Sequence, residues 1–234
     1  MYLVSVDSST KYCSVAVRQD GRELFSVNNF TEKSASSMLT VLVRTAVEGV
    51  GIELASVDAF ALGMGPGSYT GLRVATSVVK GLCFALDKPL VAVNTLEAMA
   101  VQVRKSLQAT RQVLGEGNEV LLVPMIDARR MEVYAAVFDE KGTEIEGTRP
   151  VIVDENSFGH LLEQRQVVFL GDGADKCRSV LGKHPNARFW PDVIHPRASE
   201  VGDLAYGHFL AGRFEDAAAF EPYYLKAFMT KQKA

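Results

Sequence analysis

Cysteine, histidine and excess basic charge are all scarce in this chain, and each scarcity removes a class of function. Three cysteines occur in 234 residues, Cys13, Cys83 and Cys177. Odd in number, far apart and each in a mostly apolar stretch, they exclude a disulfide framework or a zinc knuckle and fit a reducing compartment. The four histidines, His160, His184, His195 and His208, include no pair four residues apart. No helix can therefore present two imidazoles on one face to a metal. Lysine and arginine number 25 against 28 acidic residues, a net charge of −3, whereas a protein that grips nucleic acid alone carries a basic excess. The longest apolar stretch, around residues 74–93, is broken by Lys80, Asp87 and Lys88, well short of a membrane span. The opening MYLVSVDSST has no basic segment, and Asp7 interrupts its apolar run, so a secretory signal is not expected. A soluble, cytoplasmic protein without a membrane partner is the expectation. A Gly-x-Ser-x-Gly nucleophile elbow and a Walker A sequence are also missing.

What is present is an ordinary globular composition, 47% hydrophobic and 23% charged, long enough for one large domain or two small ones. Residues 2–6, 13–18 and 23–28 read as strands, with Asp20-Gly21 as a hairpin turn. Residues 32–50 read as a helix capped by Thr31, its apolar residues recurring at three- and four-residue steps. A strand at 57–62, a glycine-rich loop, a helix at 72–86, a strand at 90–93 and a helix from Thr95 to about residue 107 follow. Residues 108–119, polar and with two glycines, mark a boundary. The strand–turn–strand–turn–strand pattern then restarts at 120–153. Both copies place an aspartate directly after the first strand, Asp7 and Asp127. A helix at 156–165, a strand at 167–170, a turn Gly171-Asp-Gly173 into a helix at 175–181, an irregular proline-bearing stretch at 184–196 and an amphipathic helix at 198–212 complete the reading. The expected division is a first subdomain at 1–107 joined by the helix 198–212, a second at 108–196, and a tail at 213–234. The tail is aromatic and then basic, and reads as a solvated end in preference to a nucleic-acid contact.

The turn Ser8-Ser9-Thr10-Lys11 offers hydroxyls and one cation, but Ala128-Arg129-Arg130-Met131 has no glycine and two bulky side chains, a poor phosphate cradle. The segment Gly63-Met-Gly65-Pro-Gly67-Ser68-Tyr-Thr-Gly71 permits positive φ and close backbone approach, and it feeds a helix N-terminus. Cys83, mid-helix among apolar neighbours, reads as core. Duplicated meanders with early aspartates resemble the superfamily of actin, sugar kinases and Hsp70.

The motifs Asp7-Ser8-Ser9, Gly65-Pro-Gly67-Ser68-Tyr-Thr-Gly71-Leu72-Arg73, Asn94-Thr95-Leu96, Ile126-Asp127-Ala-Arg129, Glu132-Val-Tyr134 and Glu221-Pro-Tyr-Tyr-Leu225 resemble the bacterial TsaB (YeaZ) family over nearly the whole chain. The resemblance implies an α/β fold of two actin-like (ASKHA) subdomains, each a mixed five-stranded sheet flanked by helices, with ribonuclease-H-like topology. It implies a non-catalytic scaffold that binds a TsaD-type paralogue. With a TsaE-type ATPase, that pair completes threonylcarbamoyl transfer to the tRNA adenosine beside the anticodon. The implied docking face uses Leu39, Leu42, Val43 and Ala46 of the first helix and Gly71, Leu72, Ala75, Val79 and Leu82 of the next. The implied remnant of a nucleotide cleft comprises Asp7, Ser8, Ser9, Gly65, Gly67, Ser68, Asp127, Arg129, Gly171 and Gly173. ATP or ADP is expected only at low affinity or within the complex, with no tightly bound cofactor, and tRNA only through the complex. No metal is expected, because Thr95 and Met99 stand where the paralogue carries its two metal-binding histidines. Lys33 and Thr40 depart from the family pattern. The rival readings are an enzyme of the same fold, metallopeptidase-like or ATP-using, and a self-sufficient homodimer; a homodimer is also the expected state of the chain alone.

Overall fold

The computed structural model describes residues 1–31, 35–109 and 120–225. Most of the expected boundary at 108–119, the first residues of the helix expected at 32–50 and the basic end of the tail lie outside them.

Strands β1 (Tyr2–Asp7), β2 (Cys13–Gln19) and β3 (Arg22–Asn29) form an antiparallel meander. The β2–β3 turn needs left-handed backbone at both Asp20 and Gly21 (φ 48° and 80°), which Asp-Gly adopts readily. Helix α1 (Ala35–Gly49) leads to β4 (Ala59–Gly65), then α2 (Tyr69–Leu86), β5 (Leu90–Asn94) and α3 (Thr95–Ala109). Strands β4 and β5 run parallel to β1, and the sheet order is β3-β2-β1-β4-β5. The second meander is β6 (Val120–Asp127), β7 (Glu132–Phe138) and β8 (Glu144–Ile152), followed by α4 (Gly159–Leu162), β9 (Gln166–Leu170), α5 (Ala174–Leu181), β10 (Ala187–Phe189) and α6 (Ala198–Leu210). The second sheet, β10-β9-β6-β7-β8, repeats the order of the first.

Two details differ from the sequence reading. The helix expected at 156–165 is one turn long, because Phe158 takes a left-handed conformation (φ 61°) that separates it from the residues before. The stretch at 184–196 contains the three-residue β10, paired in parallel with β9, too short to carry a period of its own.

Burial explains the layers. Helices α1 and α2 cover one face of the first sheet, where Val4, Val6, Phe60 and Leu62 meet Leu39, Val43, Ala46 and Val79. Helix α6 covers the other face through Val201 and Ala205. Helix α3 serves both sheets. Its Ala98 joins the first, while Leu96, Met99, Ala100 and Val103 pack on Leu122, Ile126, Phe138 and Leu170 of the second. After α6 the chain returns along the edge of β5. The Glu215 N–H donates to the Leu90 carbonyl (2.9 Å), Lys80 Nζ donates to the carbonyls of Ala218 and Phe220 (both 3.0 Å), and the Tyr223 N–H donates to the Met64 carbonyl (2.8 Å).

Candidate functional site

The turn after β1 is sealed by the glycine-rich loop. Asp7, Ser8 and Ser9 are buried. Asp7 Oδ1 accepts from the Ser9 N–H (3.0 Å) and the Ser9 hydroxyl (2.9 Å). Ser8 Oγ donates to the Gly71 carbonyl (2.7 Å), and the Ser68 N–H donates to the Ser9 carbonyl (2.6 Å). A Cβ at Gly67 or Gly71 would overlap the carbonyl oxygens of Ser9 and Ser8, and one at Gly63 would overlap the Asp7 carboxylate. The glycines do allow close backbone approach, as their sequence implies, but what they approach is the chain's own turn. The Gly65 N–H donates to Thr95 Oγ1 (3.1 Å), so α3 is tied to the same loop. Ser68 caps α2, accepting from the Gly71 N–H at 3.3 Å. Burial drives the Asp7 pKa up to about 6, against the two hydrogen bonds from Ser9 that lower it.

The corresponding turn of the second meander is filled from within by a cation. Lys176, in the first turn of α5, pairs with the Asp127 carboxylate and donates to the carbonyls of Arg130 (2.7 Å) and Glu132 (2.6 Å). Arg129 and Arg130 both adopt positive φ (71° and 48°), a conformation steadied by the Arg129 N–H donating to Asp127 Oδ1 at 2.8 Å. The Asp127 N–H donates to Asp172 Oδ1 (3.0 Å), which links this turn to Gly171-Asp172-Gly173. A Cβ at Gly171 would overlap the Met125 carbonyl and one at Gly173 would crowd Ile126, so these glycines also serve backbone packing. Sequence reasoning missed Lys176. A lysine near a helix start has no distinguishing pattern, and only the fold brings it beneath Asp127.

Thr95 and Met99 are both buried, the first bonded to Gly65 and the second in the core between the sheets. Among the described residues no group of three or more His, Cys, Asp or Glu side chains could hold a metal ion.

The expected docking residues need correction. Leu39, Leu42, Val43, Ala46, Ala75 and Val79 lie in the first domain's own core, and Gly71 and Leu72 are buried beneath the glycine-rich loop. Both helices are apolar on more than one face, and the stripe chosen from the sequence is the one that packs on the sheet. The opposite stripes leave an open groove of about 610 Å³, lined among others by Val43, Arg44 and Val47 of α1 and Val78, Gly81 and Leu82 of α2. Of the expected residues, Val43 and Leu82 reach it. Beyond it on α2, Phe84 is 91% exposed.

Two domains of identical strand order, each a meander extended by parallel strands and flanked by helices, define the actin-like class of α/β proteins. A solved structure of that fold, the ethanolamine utilization protein EutJ of Carboxydothermus hydrogenoformans, superposes with a TM-score of 0.50 at 14% identity, covering 88% of this chain and 90% of that one. A family model described as "TsaD: tRNA N6-adenosine threonylcarbamoyltransferase" matches residues 29–164. The tRNA threonylcarbamoyladenosine biosynthesis protein TsaB of Haemophilus influenzae is 28% identical over 240 residues, covering 99% of this chain and 96% of the relative. The structure of YeaZ from Pseudomonas aeruginosa superposes with a TM-score of 0.77 at 28% identity, covering 96% of this chain and 99% of that one. The chain belongs to this family, in its TsaB (YeaZ) branch. No helix among the described residues is long and apolar enough to cross a membrane.

Two outcomes test the sealed turn. The folded pKa of Asp7 lies above its ordinary 3.8, so its contribution to stability is full below pH 4 and is lost as pH rises through about 6. Asp7→Asn should therefore gain stability relative to the parent chain on going from pH 4.5 to pH 7.5, by about 2–3 kcal/mol in urea unfolding; a pH-independent difference would contradict this. Gly71→Ala should cost about 2–3 kcal/mol, whereas Gly81→Ala, with open space around it, should stabilise by about 0.5–1 kcal/mol.

Proposed function

We propose that the chain is a docking subunit for tRNA threonylcarbamoyladenosine formation, binding a TsaD-type paralogue through the outward groove between α1 and α2. The observation that carries this reading is the pairing of that apolar groove with Phe84, a large side chain left almost wholly in water. Apolar surface of this kind is the usual mark of a partner site. A TsaE-type ATPase acts with the pair, and ATP or ADP is met within the complex and not by this chain alone. The transfer chemistry belongs to the paralogue. In support, the Ser8–Ser9 turn is closed by the chain's own backbone, the Asp127 turn is filled by Lys176, and Thr95 and Met99 are packed into the interior.

The groove also orders the roles of its lining. Val47, Val78 and Leu82 supply the apolar floor, Arg44 and Glu48 set opposite charges along one wall, and Gly81 lets a partner helix approach closely. The same face can pair with a second copy when the paralogue is absent, since a two-fold dimer uses one patch twice.

Size-exclusion chromatography with light scattering, on the chain mixed with the TsaD-type protein of the same cell, checks this. A one-to-one complex should form, and Val78→Glu combined with Phe84→Ser should abolish it while leaving the melting temperature within a few degrees, because both side chains point outward. A complex that survives the double substitution would move the interface elsewhere, and no complex with or without nucleotide would remove the docking reading.

A further inference from the structure

The returning C-terminal segment builds a second surface beside the start of α2. The rings of Tyr69 and Tyr224 lie 5.1 Å apart and tilted by 41°. The Arg73 guanidinium sits 4.1 Å over the Tyr69 ring, and its Nε donates to the Tyr224 hydroxyl at 3.3 Å. Arg73 is exposed and both tyrosines are half-buried. Among the described residues the terminal amino groups of Arg73 have no hydrogen-bond partner. Glu221 is the carboxylate whose field acts on the guanidinium, and it forms no ion pair with it. The segment does not need Arg73 as an anchor. The Glu215–Leu90 and Tyr223–Met64 backbone bonds, the two Lys80 bonds and the buried Phe220 already hold it down. What remains is a guanidinium backed by aromatic rings with its donor edge turned to solvent. Directly after Leu225 the sequence continues with Lys226, Lys231 and Lys233 and no acidic residue through residue 234.

We propose that Tyr69, Arg73 and Tyr224 form an RNA contact in which the Arg73 fork takes a backbone phosphate and the tyrosine faces take an unstacked base, with the lysines of 226–234 adding charge. A planar guanidinium stacked on a ring and presenting paired donors matches phosphate geometry, and aromatic faces hold exposed bases of single-stranded loops. The local cluster offsets the net charge of −3 that argued against RNA for the chain as a whole. This rests on the tRNA-modification reading above, and it departs from the expectation that RNA is met only through other subunits.

Fluorescence anisotropy of the full chain with a fluorescein-labelled tRNA anticodon stem-loop tests it. The parent chain should bind saturably at low salt and weaken as salt rises. Arg73→Gln should weaken binding about tenfold. Arg73→Lys should fall between the two and keep the salt dependence of the parent, since it retains the charge and loses the stacked fork. Absence of saturable binding by the parent, or equal affinity in Arg73→Gln, would overturn the proposal. So would an Arg73→Gln chain that keeps its RNA affinity but no longer elutes with the TsaD-type protein, which would make the cluster a protein contact. The underlying reading is scored separately, by whether the parent chain restores the modified nucleoside in cells lacking their own TsaB. Restoration together with unchanged RNA affinity in Arg73→Gln would remove the RNA contact alone.

Discussion

The approach of the loop at residues 65–71 to the turn at residues 8–10 is the contact on which the rest of the first domain depends. It is made by backbone against backbone, with the Ser68 N–H on the Ser9 carbonyl and the Ser8 hydroxyl on the Gly71 carbonyl. Such proximity tolerates no Cβ at Gly67 or Gly71. It also leaves a carboxylate, Asp7, in a dry interior with Ser9 as its hydrogen-bond partner. A buried carboxylate with so little support is costly, and its retention is intelligible as the means of ordering the Ser8–Ser9 turn against the loop.

From that contact the geometry runs outward in two directions. Through Ser68, the loop caps and aims α2, whose inner stripe completes the core and whose outer stripe forms one wall of the groove. Through Gly65 and Thr95, it fixes the start of α3, the helix that gives one face to each sheet. The second domain solves the equivalent problem differently: its turn lacks glycine, so two arginines take left-handed backbone and Lys176 neutralises Asp127 from below. Two turns that in this fold could face a ligand are thus both satisfied internally, one by packing and one by charge.

Much of the fold is legible in the sequence because it is periodic. The meanders show as apolar runs broken by Asp20-Gly21 and Lys141-Gly142, and α1, α2 and α3 show as stripes. The boundary region shows through its composition. The site is less legible, for reasons that differ by residue. Glycine announces close approach but not what is approached, so Gly67 and Gly71 read as a ligand loop until the fold shows Ser8 and Ser9 against them. An apolar residue at helical spacing announces burial but not against which neighbour, so Leu39, Leu42 and Val79 read as a docking face when they are core. Phe84 sits in the run Leu82-Cys83-Phe84-Ala85, which reads as wholly interior, yet one helical turn places Cys83 inside and Phe84 in solvent. Arg73 and Tyr224 lie 151 residues apart in the chain and meet only through the returning strap.

Amide hydrogen exchange across residues 7–10 and 65–72 of the isolated chain, with and without millimolar Mg-ATP, bears most directly on the claim that the first turn is closed by the chain itself. The account predicts slow exchange at Ser9 and Ser68, whose N–H groups are buried or bonded within the turn and loop, and no change on adding nucleotide. Rapid exchange there that slows when Mg-ATP is added would show an open nucleotide site and contradict it.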